Sequence, residues 1–136
     1  MTPAPMSTEL VMLGCAVALV LLQIVLQASA GALFLNLGYL MGPRDEDKAV
    51  ANVYVGRTSR ALHNVMETFP LFAALAVALA VTGRTGGNAA LGAQIYVWAR
   101  TIYVPVYILG IPVLRTLVWA ASMAGIVMML VALLGK

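Results

Sequence analysis

Arg57-Thr58-Ser59-Arg60-Ala61-Leu62-His63-Asn64-Val65-Met66-Glu67-Thr68-Phe69-Pro70-Leu71-Phe72-Ala73-Ala74-Leu75 is a polar stripe that runs straight into an apolar helix. Arg57, Arg60, Asn64 and Glu67 are spaced i, i+3, i+7, i+10. At 3.6 residues per turn, all four fall within an arc of roughly 80°. Ionisable groups at the mouth of a membrane helix are costly and face a partner helix or a wet cavity. Two readings follow from the spacing, and it does not separate them. One is an interfacial ion network, with arginines reaching the headgroups and Glu67 paired to an arginine of a neighbouring helix. The other is a site for a polar ligand.

The rest of the chain fits a membrane setting. Of 136 residues, 62% are hydrophobic and 10% are charged, against about 25% charged in a soluble domain. Mean hydropathy is +0.97. The length allows one domain over residues 1–136. Four apolar segments stand out, at about 10–37, 59–81, 89–109 and 112–134. Each can supply the ~20 residues of a spanning helix. Backbone groups in lipid must pair internally, and no period-2 pattern suggests barrel strands. The predicted fold is therefore an all-α integral membrane protein, a bundle of four transmembrane helices. Ala28-Ser29-Ala30 resembles a leader-peptide cleavage site, but Glu9 precedes the run, no Lys or Arg does, and the run continues past the site. An uncleaved first helix is predicted.

The connections predict the topology. Gly42-Pro43-Arg44-Asp45-Glu46-Asp47-Lys48 reads as a solvated loop, Thr82 to Asn88 as a flexible turn, and Gly110-Ile111-Pro112 as a tight link. Arg44, Lys48, Arg57, Arg60 and Arg115 flank the first and third links, whereas Arg84 and Lys136 lie opposite. The positive-inside rule then places the first and third links in the cytoplasm and both termini outside.

Composition excludes several functions. The basic residues are too scattered for a nucleic-acid face. A single cysteine, Cys15, and a single histidine, His63, rule out Cys- or His-rich metal sites, and five acidic residues are too few for a carboxylate-rich metal bundle. Cys15 reads as a small buried apolar residue. No metal is predicted.

A second polar set follows in the third segment. Arg100, Tyr103 and Tyr107 are spaced i, i+3, i+7, with Gln94 and Tyr96 nearer the other end. The tyrosines read either as hydrogen-bonding groups for a ligand or as an aromatic belt at the interface. Arg100 sits about two turns from the link, so its guanidinium needs a buried partner, and Glu67 is the expected one. Arg115, near the start of the fourth segment, is placed level with Arg57 and Arg60. Three cations at one depth make a positive mouth that favours an anion or a thiolate. An arginine fork binds carboxylates, an Asn amide donates and accepts, and a Glu accepts from an ammonium. The set suits a small zwitterion with carboxylates and amides.

Arg60-Ala61-Leu62-His63-Asn64-Val65-Met66-Glu67-Thr68-Phe69-Pro70 resembles the helix-two signature of the MAPEG family, the membrane-associated proteins in eicosanoid and glutathione metabolism. Ala99-Arg100-Thr101-Ile102-Tyr103-Val104-Pro105-Val106-Tyr107 resembles the family's helix-three pattern, and Gly42-Pro43-Arg44-Asp45 the first loop of its bacterial members. The resemblance implies a homotrimer, in a bacterial inner membrane, with glutathione as co-substrate bound between subunits near the cytoplasmic face. By resemblance, Arg60, Asn64, Glu67, Arg100, Tyr103 and Tyr107 bind glutathione, and Arg115 is the catalytic counterpart that stabilises its thiolate. Two positions depart from the pattern. Arg115 is one residue out of register with the catalytic arginine of some members, and Arg115-Thr116 is closer to the Arg-Ser pair of the prostaglandin-synthase branch. Thr68 stands where the leukotriene-synthase branch has a tyrosine.

The implied activity is a glutathione-dependent transferase or peroxidase acting on a lipophilic electrophile that arrives from the bilayer. A non-catalytic lipid-binding or scaffold protein on the same fold is the alternative. A small multidrug transporter also has four short helices but carries a carboxylate in the middle of helix one, where this chain has only Glu9 at the edge. Phe34, Trp98 and Trp119 are candidates to bound a hydrophobic substrate, and equally to face lipid or pack in the core. Gly14, Ala16, Gly31 and Ala32 permit close helix approach.

Overall fold

The computed structural model describes residues 3–43, 45 and 52–135. The loop charges Arg44, Glu46, Asp47 and Lys48, and the terminal Lys136, lie outside the described residues. Among the described residues five helices form in order: α1 (Thr8–Phe34), α2 (Leu37–Met41), α3 (Val53–Val81), α4 (Gly87–Leu109) and α5 (Pro112–Leu134). No strand occurs among the described residues. Three helices, α1, α3 and α5, are long and apolar enough to cross a membrane by length and composition. The fourth long helix, α4, matches α5 at 23 residues but carries Asn88, Gln94, Arg100 and three tyrosines. Its polar groups are accommodated because it packs against all three other long helices.

Local signals set the helix ends. Ser7 caps α1 by accepting from Leu10 N at 3.4 Å, in the manner of an N-cap hydroxyl. The predicted first helix overshoots: α1 stops at Phe34, and Asn36 turns the chain into α2, its Oδ1 accepting from Gly38 N at 2.8 Å. Asn36 is thus a cap, not an interruption within a span. The second predicted helix starts too late. Asn52 Oδ1 accepts from Tyr54 N and Val55 N, so α3 begins at Val53. Hydropathy marks where a helix enters lipid, whereas the cap marks where it starts. Pro112 in the first turn of α5, where its missing N–H costs nothing, fits the predicted start.

The long helices alternate in direction, and contacts fix both ends of the bundle. At the terminal end, Gly86 N donates to Glu9 Oε1 at 2.7 Å, and Arg84 Nη1 donates to Leu133 O at 2.6 Å and Gly135 O at 2.5 Å. The start of α1 and the finish of α5 therefore lie together. Arg57, Tyr107 and the α4–α5 link mark the opposite end.

The core sits between the long helices, with Phe72, Ala76, Leu79, Ala93, Tyr96 and Met129 nearly inaccessible. Phe72 and Tyr96 stack with centroids 4.2 Å apart. Large apolar residues such as Leu21, Val25, Leu71, Leu117 and Val131 face outward, as expected where the surroundings are lipid. The tightest approach joins α4 to α5 at Gly92 and Gly125. A Cβ on either glycine would sit 2.6 Å from the other's carbonyl oxygen. Of the small residues singled out on α1, Ala16 and Gly31 are buried, while Gly14 and Ala32 are exposed. Cys15, predicted to be buried, is exposed. It lines an outward groove between α1 and α4 with Leu19, Leu22, Val97 and Trp98.

Candidate functional site at the link end

The helix spacing puts Arg60, Asn64 and Glu67 on one flank of α3, and α4 runs antiparallel beside it. Asn64 meets Arg100, whose Nη1 donates to its Oδ1 at 2.5 Å. One turn deeper, Thr68 and Tyr96 share a hydrogen bond at 3.1 Å. One turn nearer the link, Arg60 Nε donates to the Tyr107 hydroxyl at 3.3 Å. The Arg115 guanidinium reaches over from α5 and lies 4.9 Å from the Tyr107 ring centroid, within cation–π range. Tyr107 therefore joins α3, α4 and α5 at one point.

Arg100 is 1% exposed. Its guanidinium lies 5.3 Å from the Tyr103 ring and 5.6 Å from the Tyr96 ring, and Tyr103 in turn packs on Tyr107 at 5.4 Å. The expected direct pair with Glu67 does not form. Glu67 is exposed and lies 3.4 Å from His63 Nε2 one turn back on the same helix. The reason is geometric: residue 67 lies about 60° around the helix from residue 64, and Asn64 is the one turned toward α4. Glu67 stays exposed on the outer side of α3, with His63 as its neighbour.

Arg57 has a different partner. Its Nη1 donates to Ile108 O at 2.9 Å, one of the terminal carbonyls of α4 that have no intrahelical donor. The guanidinium packs against Gly110, which holds φ +76°, and a Cβ there would lie 2.7 Å from Arg57 Nη2. Arg57 thus anchors the α4–α5 link instead of pointing at a ligand. Arg60, Tyr107 and Arg115 are gathered at the link, Arg100 and Tyr103 are buried below them with half-buried Asn64 beside Arg100, and Glu67 stands outside on α3. Sequence reasoning missed Thr68 and Tyr96 as members of this polar column. Thr68 lies four residues beyond Asn64 and Tyr96 four before Arg100, so antiparallel helix spacing was the available signal.

Phe34, Trp98 and Trp119 are all exposed, and Phe34 stacks on Tyr54 with centroids 6.0 Å apart. Among the described residues, no group of three or more His, Cys, Asp or Glu side chains could hold a metal ion.

A family model for the MAPEG family matches residues 12–135, nearly the whole chain. The chain belongs to the MAPEG family. That membership places it among membrane proteins that include glutathione transferases and peroxidases together with other members. No curated protein and no solved structure matches the chain. The link-end cluster, built from both motif helices, is the part of this MAPEG protein where polar chemistry concentrates.

Proposed function

We propose that this MAPEG protein is a glutathione-dependent transferase or peroxidase that acts on a lipophilic electrophile. The observation that carries the reading is the junction at Tyr107, where Arg60 and Arg115 converge from two helices on one ring. Two guanidinium groups at one mouth supply the charge that a tripeptide with two carboxylates and a thiol requires. Arg60 takes a carboxylate, exposed Glu67 accepts the ammonium, and Tyr103 and Tyr107 line the site. Half-buried Asn64 and buried Arg100 form its floor. Arg115 stabilises the thiolate, whose sulfur lone pair forms a bond to the electrophilic carbon or to a peroxide oxygen while the leaving group departs with the displaced electron pair. Glutathione is a co-substrate, held at a homotrimer interface, which accounts for a Glu67 directed away from its own bundle. The link end faces the cytoplasm and both termini lie outside a bacterial inner membrane, following the flanking arginines.

Turnover of glutathione with an aryl halide or a hydroperoxide by the purified protein in detergent tests this reading. Absence of turnover together with absence of a glutathione-dependent thermal shift would end it. The apolar groove of about 370 Å³ between α1 and α4 favours a second reading, a non-catalytic lipid-binding member. In that case Arg115→Ala leaves function intact, whereas substitutions at Leu22 or Trp98 impair it.

A further inference from the structure

Among the described residues, three buried side chains leave polar atoms without a protein partner: Glu9 Oε2, Gln23 Oε1, and Nε and Nη2 of Arg100. The last two residues are complementary, an acceptor on α1 and two donors on α4. The helix register places them at one level of the bundle. Glu9, Ala16, Gln23 and Ala30 recur every seven residues along α1, and all four are buried. Gly86, Ala93 and Arg100 recur at the same interval along α4, which runs parallel to α1. The first rung of this ladder is the hydrogen bond from Gly86 N to Glu9 Oε1. The second joins Ala16 and Ala93 in one core cluster. Parallel helices with a shared heptad stay in register from rung to rung, so the same interval brings Gln23 and Arg100 to the third rung. The α3 side agrees. Phe34 stacks on Tyr54, and eleven residues separate each from Gln23 and Val65 respectively. Gln23 is thereby level with Asn64, the partner of Arg100.

A guanidinium in mid-bundle with two free N–H edges and no carboxylate within bonding reach needs a polar guest. A buried water needs two to four polar partners, and Gln23 Oε1 with Arg100 Nε and Nη2 supplies three. We infer that α1 and α4 enclose an internal water site at this rung, which Gln23 and Arg100 share. The water accepts from Arg100 and donates to Gln23. Gln23 becomes a positioning residue: acting through the water, it holds the edge of the guanidinium opposite Asn64, so that Nη1 stays directed at the Asn64 oxygen. The water site lies behind the Arg100 floor of the link-end mouth and requires no glutathione.

Two measurements test it. A high-resolution structure of the wild-type protein should show an ordered water within hydrogen-bond distance of Gln23 Oε1 and of Arg100 Nε or Nη2. Direct contact between the two side chains, or density at neither, overturns the inference. In detergent without glutathione, Gln23→Leu should lower Tm by about 3–6 °C in the wild-type background and by nothing in an Arg100→Met background. Gln23→Glu should keep Tm beside Arg100 and lose it beside Met at position 100. Equal losses in both backgrounds would show that the two residues are independent and would overturn it. Because neither measurement reads glutathione, failure here is distinguishable from failure of the proposed activity.

Discussion

Asn64 Oδ1 accepts from Arg100 Nη1 at 2.5 Å, and this is the direct hydrogen bond that α3 gives to a fully buried cation on α4. A neutral amide in this role leaves Arg100 with its charge uncompensated by any carboxylate in contact. The bond is accordingly worth more than an ordinary one, because losing it strands a donor of a buried charged group. Asn64→Leu should destabilise the bundle by about 2–4 kcal/mol, the range for stripping a partner from a buried charged group. Asn64→Asp keeps the acceptor and adds the missing charge, and it should hold or raise stability. Thermal unfolding in detergent measures both. A loss of the same size in Asn64→Asp would mean that packing, not the acceptor, matters at this position.

Gly92 and Gly125 set the distance between α4 and α5. A Cβ on Gly125 would lie 2.6 Å from Gly92 O and 2.9 Å from Tyr96 N, both backbone atoms that cannot turn aside. Gly125→Ala must therefore separate the helices, at about 1–3 kcal/mol for overpacking of a close-fitted core. Gly14→Ala is the matched control, since nothing lies within 4 Å of its added Cβ. It should be neutral or slightly stabilising, by up to about 1 kcal/mol from helix propensity. Comparable Tm losses for the two variants would contradict the close-approach account.

Much of this architecture is legible in the sequence because lipid imposes a simple rule: long apolar helices with internally paired backbones. The three long apolar helices α1, α3 and α5 follow from it, and the fourth, more polar α4 is found by its length. The departures arise where a local polar group overrides hydropathy. Asn36 and Asn52 act through cap hydrogen bonds, shifting helix ends that apolar content alone misplaces. The α4–α5 contact passed unnoticed because small residues are common on every helix, and only the three-dimensional crossing selects Gly92 and Gly125. Glu67 was expected against Arg100 by charge, but its azimuth on α3 turns it outward. Arg57 shared the polar stripe with Arg60, yet it reaches Ile108 O, a carbonyl invisible to any reading of side chains.

That Arg57 contact makes a prediction about the α4–α5 link. Gly110 is at φ +76°, a backbone region costly for residues with a Cβ, and its missing Cβ makes room for the Arg57 guanidinium. Gly110→Ala combines both penalties and should cost about 1–3 kcal/mol. Arg57→Ala loses one hydrogen bond to a terminal carbonyl, about 1 kcal/mol at a partly exposed site. With Arg57 already replaced by Ala, Gly110→Ala should cost less, because only the backbone strain is left. A double-mutant cycle read by thermal unfolding checks this, and strict additivity would remove Arg57 from the account of the link.

The Tyr107 junction separates binding from thiolate chemistry. Tyr107 gives its hydroxyl to Arg60 and its ring to Arg115, so single substitutions there address different partners. Arg60→Ala removes a carboxylate-binding fork, and under the proposed function it should weaken glutathione binding about 10- to 100-fold, the equivalent of one charge-assisted hydrogen bond. Its effect should fall on KM, since the carboxylate is bound equally in ground and transition states. Arg115→Ala should instead lower kcat and diminish the thiolate ultraviolet absorbance of bound glutathione, because the cation favours the ionised thiol. Tyr107→Phe keeps the ring beneath Arg115 and deletes the acceptor for Arg60, so it should move KM modestly and leave the thiolate signal unchanged. If Arg115→Ala shifts KM alone, with the thiolate signal intact, Arg115 is a binding residue and the source of thiol activation lies elsewhere.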